Sequence, residues 1–147
     1  MCIRDSIYCV EPIPRAPVPP DAFADHGLVE ISALDNLGTF LTMERSFAVG
    51  VGNTILLFES STVGATNVAH TKALNLDGCP TDLSMMSKEL VVNLEADLGV
   101  VPDNVEGMAL GPWLSENERL LILVSDNNFN PSQTTQFIAL AVELTSD

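Results

Sequence analysis

Seven short apolar runs, each closed off by turn residues, limit what this chain can fold into. They are GLVEISAL (27–34), TFLTMER (39–45), NTILLFES (53–60), KELVVNL (88–94), VEGMALG (105–111), RLLILVS (119–125) and QFIALAVEL (136–144). Each is rich in β-branched, aromatic or leucine side chains and bounded by Asp, Asn, Gly or Pro, the pattern of strands and tight turns. The stretch SMMSKELVVNLEADL (84–98) has the length of a helix, but amphipathic stripes of helical period are absent. The chain is therefore expected to be all-β.

The runs also echo one another. VEISAL at 29–34 returns as VEGMAL at 105–110, and MERSF at 43–47 falls opposite SDNNF at 125–129 with six further residues inserted in GPWLSENER. Third strands follow in both copies, NTILLFES and TQFIALAVEL. Repeated antiparallel units of this size suggest the blades of a β-propeller, at about 40–50 residues per blade. By that measure the chain holds about three blades, a partial propeller truncated at its N-terminal side.

The N-terminus supports truncation independently. Residues 1–6, MCIRDS, match one reading frame of a transposon end used to fragment DNA for sequencing, and are read as foreign to the fold. Residues 7–26, with five prolines between positions 11 and 24, read as an extended connector, and 27–147 as the C-terminal part of the propeller domain. A free piece of this kind is expected to be inactive and to associate through open sheet edges.

Charge narrows the partners. Twenty acidic residues against six basic give a net charge of −14, which repels phosphate backbones and makes nucleic-acid binding an unsuitable role. No apolar run is long enough to span a membrane as a helix. Outside the hexamer, two cysteines remain, Cys9 and Cys79, able to form one disulfide in an oxidising compartment and without metal-site spacing.

There is no GxSxG elbow, glycine-rich phosphate loop or HExxH. His26 and His70 stand in polar, loop-like contexts without a partner at ligand spacing. The candidates that remain are carboxylates and amides at strand ends. Glu106 falls on a strand, on the face of Met108 and Leu110 by alternation, where a carboxylate needs a partner or a shifted pKa. The apolar strand 119–125 runs into Asp126, Asn127 and Asn128, oxygen donors of the kind Ca²⁺ prefers. Glu44 and Arg45 take the equivalent strand-end positions in the first copy, where Arg45 suits a carboxylate or phosphate. The same residues also make ordinary turn chemistry and inter-blade ion pairs.

FLTMERSFAVGVGNTILLFE, DNVEGMALGP and LILVSDNNFNPSQTTQFIALAVEL together resemble the C-terminal part of the phytase-like family, the esterase-like activity of phytase, over about residues 27–144. The resemblance implies a propeller-type domain, exported to the periplasm or outside the cell, that hydrolyses phosphate or carboxylic esters. The family's Glu-Arg pair falls on Glu44 and Arg45, its Asn-x-Glu-Gly on Asn104, Glu106 and Gly107, and its Ser-Asp-Asn-Asn on Ser125 to Asn128. Glu44, Glu106 and Asp126 would then be catalytic, Arg45, Asn127 and Asn128 substrate-binding, and Asp126 with Glu106 ligands for a Ca²⁺ cofactor. The partners expected are a small ester or phosphoester and the missing N-terminal blades. The alternatives are a propeller that binds through the same acidic mouth without turnover, and carboxylates that only staple blades together.

Overall fold

The computed structural model describes residues 4–74 and 78–144. Seven strands form, one for each apolar run: β1 (Ala24–Ala33), β2 (Thr39–Ala48), β3 (Gly52–Ser61), β4 (Ser87–Asn93), β5 (Val105–Trp113), β6 (Glu118–Ser125) and β7 (Phe137–Glu143). One short helix, α1 (Leu94–Leu98), interrupts them. It lies in the stretch set aside as non-helical: Asn93 caps it by accepting the Glu95 and Ala96 N–H groups, and Gly99 ends it in a left-handed conformation at φ +66°.

The strands pair antiparallel into a four-stranded sheet, β1-β2-β3-β4, and a three-stranded sheet, β5-β6-β7. The internal echo thus corresponds to two meanders. Among the described residues these sheets form no closed ring, and two sheets are present where about three blades were expected. Tight turns set the register. Asp35 Oδ1 accepts the N–H groups of Leu37, Gly38 and Thr39, fixing the β1–β2 reversal. Gly50, at φ +75°, makes the β2–β3 turn, and a side chain there would run into the Val18 carbonyl.

Alternation then sorts the side chains. Leu41 and Met43 of β2 and Ile55 and Leu57 of β3 face one way, onto Val105, Leu121 and Leu123 of the second sheet, with Leu94 of α1 completing the core. The opposite face of β2 and β3 carries buried polar groups: Thr42, Glu44, Ser46, Thr54 and Ser60. Such groups need both cover and partners. Residues 4–22, which take in the end of the hexamer and most of the connector expected at 7–26, supply them as a strap across this face. Ile7 and Asp5 carbonyls accept from Met86 and Val68, Arg15 donates to Thr54 Oγ1 at 2.9 Å, and Val18 N–H bonds the Val49 carbonyl. The expected boundary at residue 26 falls inside β1. Residues 4–6 of the hexamer lie along 65–68, while residues 1–3 are outside the described residues.

Cys9 and Cys79 are joined, with Cα atoms 5.8 Å apart, and tie the strap to the loop before β4. The bridge closes a segment with a sequence separation of 70 residues. Replacing both cysteines by serine is expected to lower unfolding free energy by about 2–4 kcal/mol, read by urea denaturation against the parent. An unchanged midpoint would mean that the strap is held by its hydrogen bonds alone.

Candidate functional site

Glu44 and Arg45 are neighbours in the middle of β2, not at its end, and so point to opposite faces of the sheet. Their surroundings differ completely. Glu44 is fully buried beneath the strap. Its Oε1 accepts from Tyr8 Oη at 2.7 Å and from Lys88 Nζ at 2.6 Å; its Oε2 accepts from the Glu11 N–H at 3.0 Å and lies 2.7 Å from His26 Nε2. Burial alone would raise the Glu44 pKa, but the Lys88, His26, Tyr8 and Glu11 hydrogen bonds outweigh it and hold the carboxyl below its usual range. Burial pushes the Tyr8 phenol well above its ordinary value, and the nearby carboxylate adds to this. Lys88 also pairs with Glu11 at 3.0 Å and lies over the rings of Tyr8 and Phe58. His26 is part of β1 with a side chain only 3% exposed, and not a loop residue. Every lone pair of Glu44 is committed, and no cleft reaches it. Its chemistry is that of a staple.

On the other face, beyond the apolar core, Arg45 opens into a cleft of about 270 Å³ between the two sheets. Phe47, two residues on and on the same face, lines it beside Phe23, the ring centroids 6.4 Å apart. From the second sheet come Asn104, Glu106, Asn128 and Gln133. Arg45 Nη2 donates to Glu106 Oε1 at 3.2 Å, while Arg45 Nε is buried without a partner. Asn53 Oδ1, an acceptor in the same cleft, is buried and unpaired as well. A buried donor and a buried acceptor left open beside a paired guanidinium form a place where a polar ligand gains hydrogen bonds it would otherwise leave in water.

Glu106 arrives there by a route that alternation alone misses. β5 bulges between Val105 and Gly107, so Val105 turns into the core along with Met108 and Leu110 and Glu106 is the extra residue, facing outward. Its side chain is 41% exposed, and its partner is Arg45 rather than apolar neighbours. Asp126 sits just past β6, where its N–H bonds the Asn104 carbonyl at 2.9 Å and its Oδ1 accepts the Asn128 N–H at 3.0 Å. Asn127 Oδ1 accepts the Phe129 N–H, so Asp126 and Asn127 shape the loop and Asn128 alone of the three lines the cleft. The structure thus brings together Arg45, Asn104, Glu106 and Asn128, and separates Glu44 from them.

The sequence reading missed Phe23, Asp25, Phe47, Asn53 and Gln133. Phe47 was reachable, since it follows Arg45 at a spacing of two on a strand; Phe23 just before β1, Asp25 near its start, Asn53 at the start of β3 and Gln133 in the loop before β7 carry no local signal. Asp126 and Glu106 do not fit a Ca²⁺ cage, because one shapes its own loop and the other faces a guanidinium. Among the described residues no three His, Cys, Asp or Glu side chains cluster as metal ligands.

These features define an all-β protein of two packed antiparallel meanders with a polar cleft between them. The family model for phytase-like proteins, the esterase-like activity of phytase, matches residues 4–129, and the chain belongs to that family. The match takes in Arg45, Glu106 and the 125–128 loop, and begins at Arg4. No curated protein and no solved structure matches the chain.

Because the folded Glu44 pKa is depressed, its contribution to stability is complete above the pH at which a free glutamate titrates, about 4.3, and is lost as pH falls through the lower folded value. Glu44→Gln, which leaves the largely buried Lys88 with only the exposed Glu11 as a charge partner, is expected to cost about 3 kcal/mol at neutral pH. It should also remove this part of the acid dependence, as read from urea midpoints between pH 3 and 7.

Proposed function

We propose that this chain carries the ester-binding and hydrolytic site of a phytase-like hydrolase, and that the site is the Arg45–Glu106 cleft. The observation that carries the reading is the convergence of Arg45, Asn104, Glu106 and Asn128, from distant segments, on one cleft. Arg45 holds the carbonyl or phosphoryl oxygen and offsets the charge that develops on it. Glu106 accepts a proton from water as the water oxygen bonds the acyl carbon or phosphorus. The bond to the alcohol oxygen then breaks, and that oxygen takes the proton back from Glu106. Asp126 acts by holding Asn128 in place, and Glu44 by holding the strand that presents Arg45. The donor set favours a reaction without Ca²⁺.

The Cys9–Cys79 bridge supports a periplasmic or extracellular setting, since such bonds persist in oxidising compartments. A propeller remains the architecture we favour for the complete domain. The first strands of the two sheets, β1 and β5, lie against each other, as the innermost strands of adjacent blades do. The outer face of β5-β6-β7 is apolar, with Ala109, Leu120, Ile122, Val124 and Ala139 half-buried or exposed, and suits a further blade. The chain alone is expected to self-associate in sedimentation experiments, and Ile122→Glu to suppress this. A monodisperse unsubstituted chain would count against the extra blade.

A second reading, binding without turnover, is favoured by one observation: among the described residues no Ser, Cys, His or Lys lines the cleft. Kinetics on the complete domain separate the two. Glu106→Gln is expected to lower kcat on carboxylic or phosphate monoesters by about 10²–10⁴ with the melting temperature unchanged. Arg45→Lys, which keeps the charge but loses the fork, is expected to reduce kcat/KM. Ester binding by the unsubstituted protein with no turnover would establish the binding module instead.

A further inference from the structure

We infer that the cleft selects neutral or singly charged esters carrying an apolar acyl or aryl group, and discriminates against multiply phosphorylated ligands. The inference rests on the cleft being the ligand site, as proposed above. Two carboxylates, Asp25 and Glu106, line it against one guanidinium, and that guanidinium is already paired with Glu106. Among the described residues no lysine and no second arginine lines the cleft, and the whole chain carries −14. A polyanion entering there meets like charge both locally and at long range, and the protein offers a single cation in return.

What the cleft does offer is an apolar wall and two polar groups. Phe23 is 64% exposed and tilted against Phe47, so both rings are available to a flat or branched hydrocarbon group. Arg45 Nε and Asn53 Oδ1 are a donor and an acceptor buried without partners in the cleft wall, and a small side-chain shift would let them meet one ester oxygen and a hydroxyl on the same ligand. One accepting oxygen, one donating hydroxyl and one apolar group describe a hydroxylated ester of low charge.

The test is ligand-observed NMR on the 147-residue chain, which carries the lining residues named above. The probes are a neutral hydroxy-substituted aryl ester, phenyl phosphate and inositol hexakisphosphate. The neutral ester is expected to bind at least about tenfold more tightly than the hexakisphosphate, and Phe47→Ala to weaken it by about tenfold, the scale of one aromatic contact. Asp25→Asn combined with Glu106→Gln is expected to narrow the gap by improving the polyanion. Tighter binding of the hexakisphosphate to the unsubstituted chain, insensitive to Phe47→Ala, would overturn the inference. Turnover assays on the complete domain with the same probes keep the two readings apart. Selective binding of the neutral ester without its hydrolysis leaves the selectivity standing and removes the hydrolase. Hydrolysis confined to the hexakisphosphate keeps the hydrolase and removes the selectivity.

Discussion

A carboxylate with no access to solvent sits at the centre of this structure, and most of the chain is arranged to keep it ionised. Stripping water from Glu44 is costly unless its oxygens are fully partnered. Its four partners come from three segments: Tyr8 and the Glu11 amide from the strap, His26 from β1 and Lys88 from β4. Meeting that requirement fixes where the strap crosses the sheet and which face of β4 turns inward. It also explains why a proline-rich segment without regular structure is ordered from Asp5 to Val18: its backbone groups bond to the loops at 65–68 and 84–86 and to the β2–β3 turn.

The alternation of β2 links this staple to the cleft. With Glu44 committed to one face, Arg45 must emerge on the other, at the level where the two sheets part. The residues on either side, Met43 and Phe47, then lie in the core and in the cleft wall. A substitution at Glu44 therefore acts on the cleft only through the strand, whereas one at Arg45 leaves the strap untouched. Adjacency in sequence is here the opposite of adjacency in space.

Much of the fold was legible because strand formation is a local matter: run length, turn residues and period-2 patterning led to β1 through β7 one by one. The echo between 29–34 and 105–110 even anticipated the division into two meanders. What local pattern does not encode is which distant groups meet. Nothing around Glu44 announces Tyr8 or Lys88, which lie 36 and 44 residues away in sequence. Length arithmetic likewise does not say where each segment pairs. Residues 4–22 are too few for a blade, and their hydrogen bonds go to existing sheets and loops rather than into a third one. The site was legible in its residue types and not in its grouping, since Asn128 and Asp126 look alike on paper and only one of them faces the cleft.

The echo reaches further than the strands. Val29-Glu30 in β1 and Val105-Glu106 in β5 are equivalent dipeptides, and each first strand is bulged there, between Leu28 and Glu30 and between Val105 and Gly107. In both copies the valine packs into or against the shared core. The glutamates diverge: Glu30 Oε1 accepts the N–H of its own neighbour Ile31, and Glu106 reaches across to Arg45. A bulge re-aims one side chain while letting pairing resume beyond it. The two bulges fall one position apart in the echo: in β1 Val29 is the residue left out of the pairing and Glu30 stays opposite Met43, whereas in β5 Glu106 is left out and delivers the cleft's carboxylate. What also distinguishes the two glutamates is the partner that faces them: the Glu106 position looks onto Arg45 of the neighbouring sheet, so the site belongs to the contact between the sheets and to neither sheet alone.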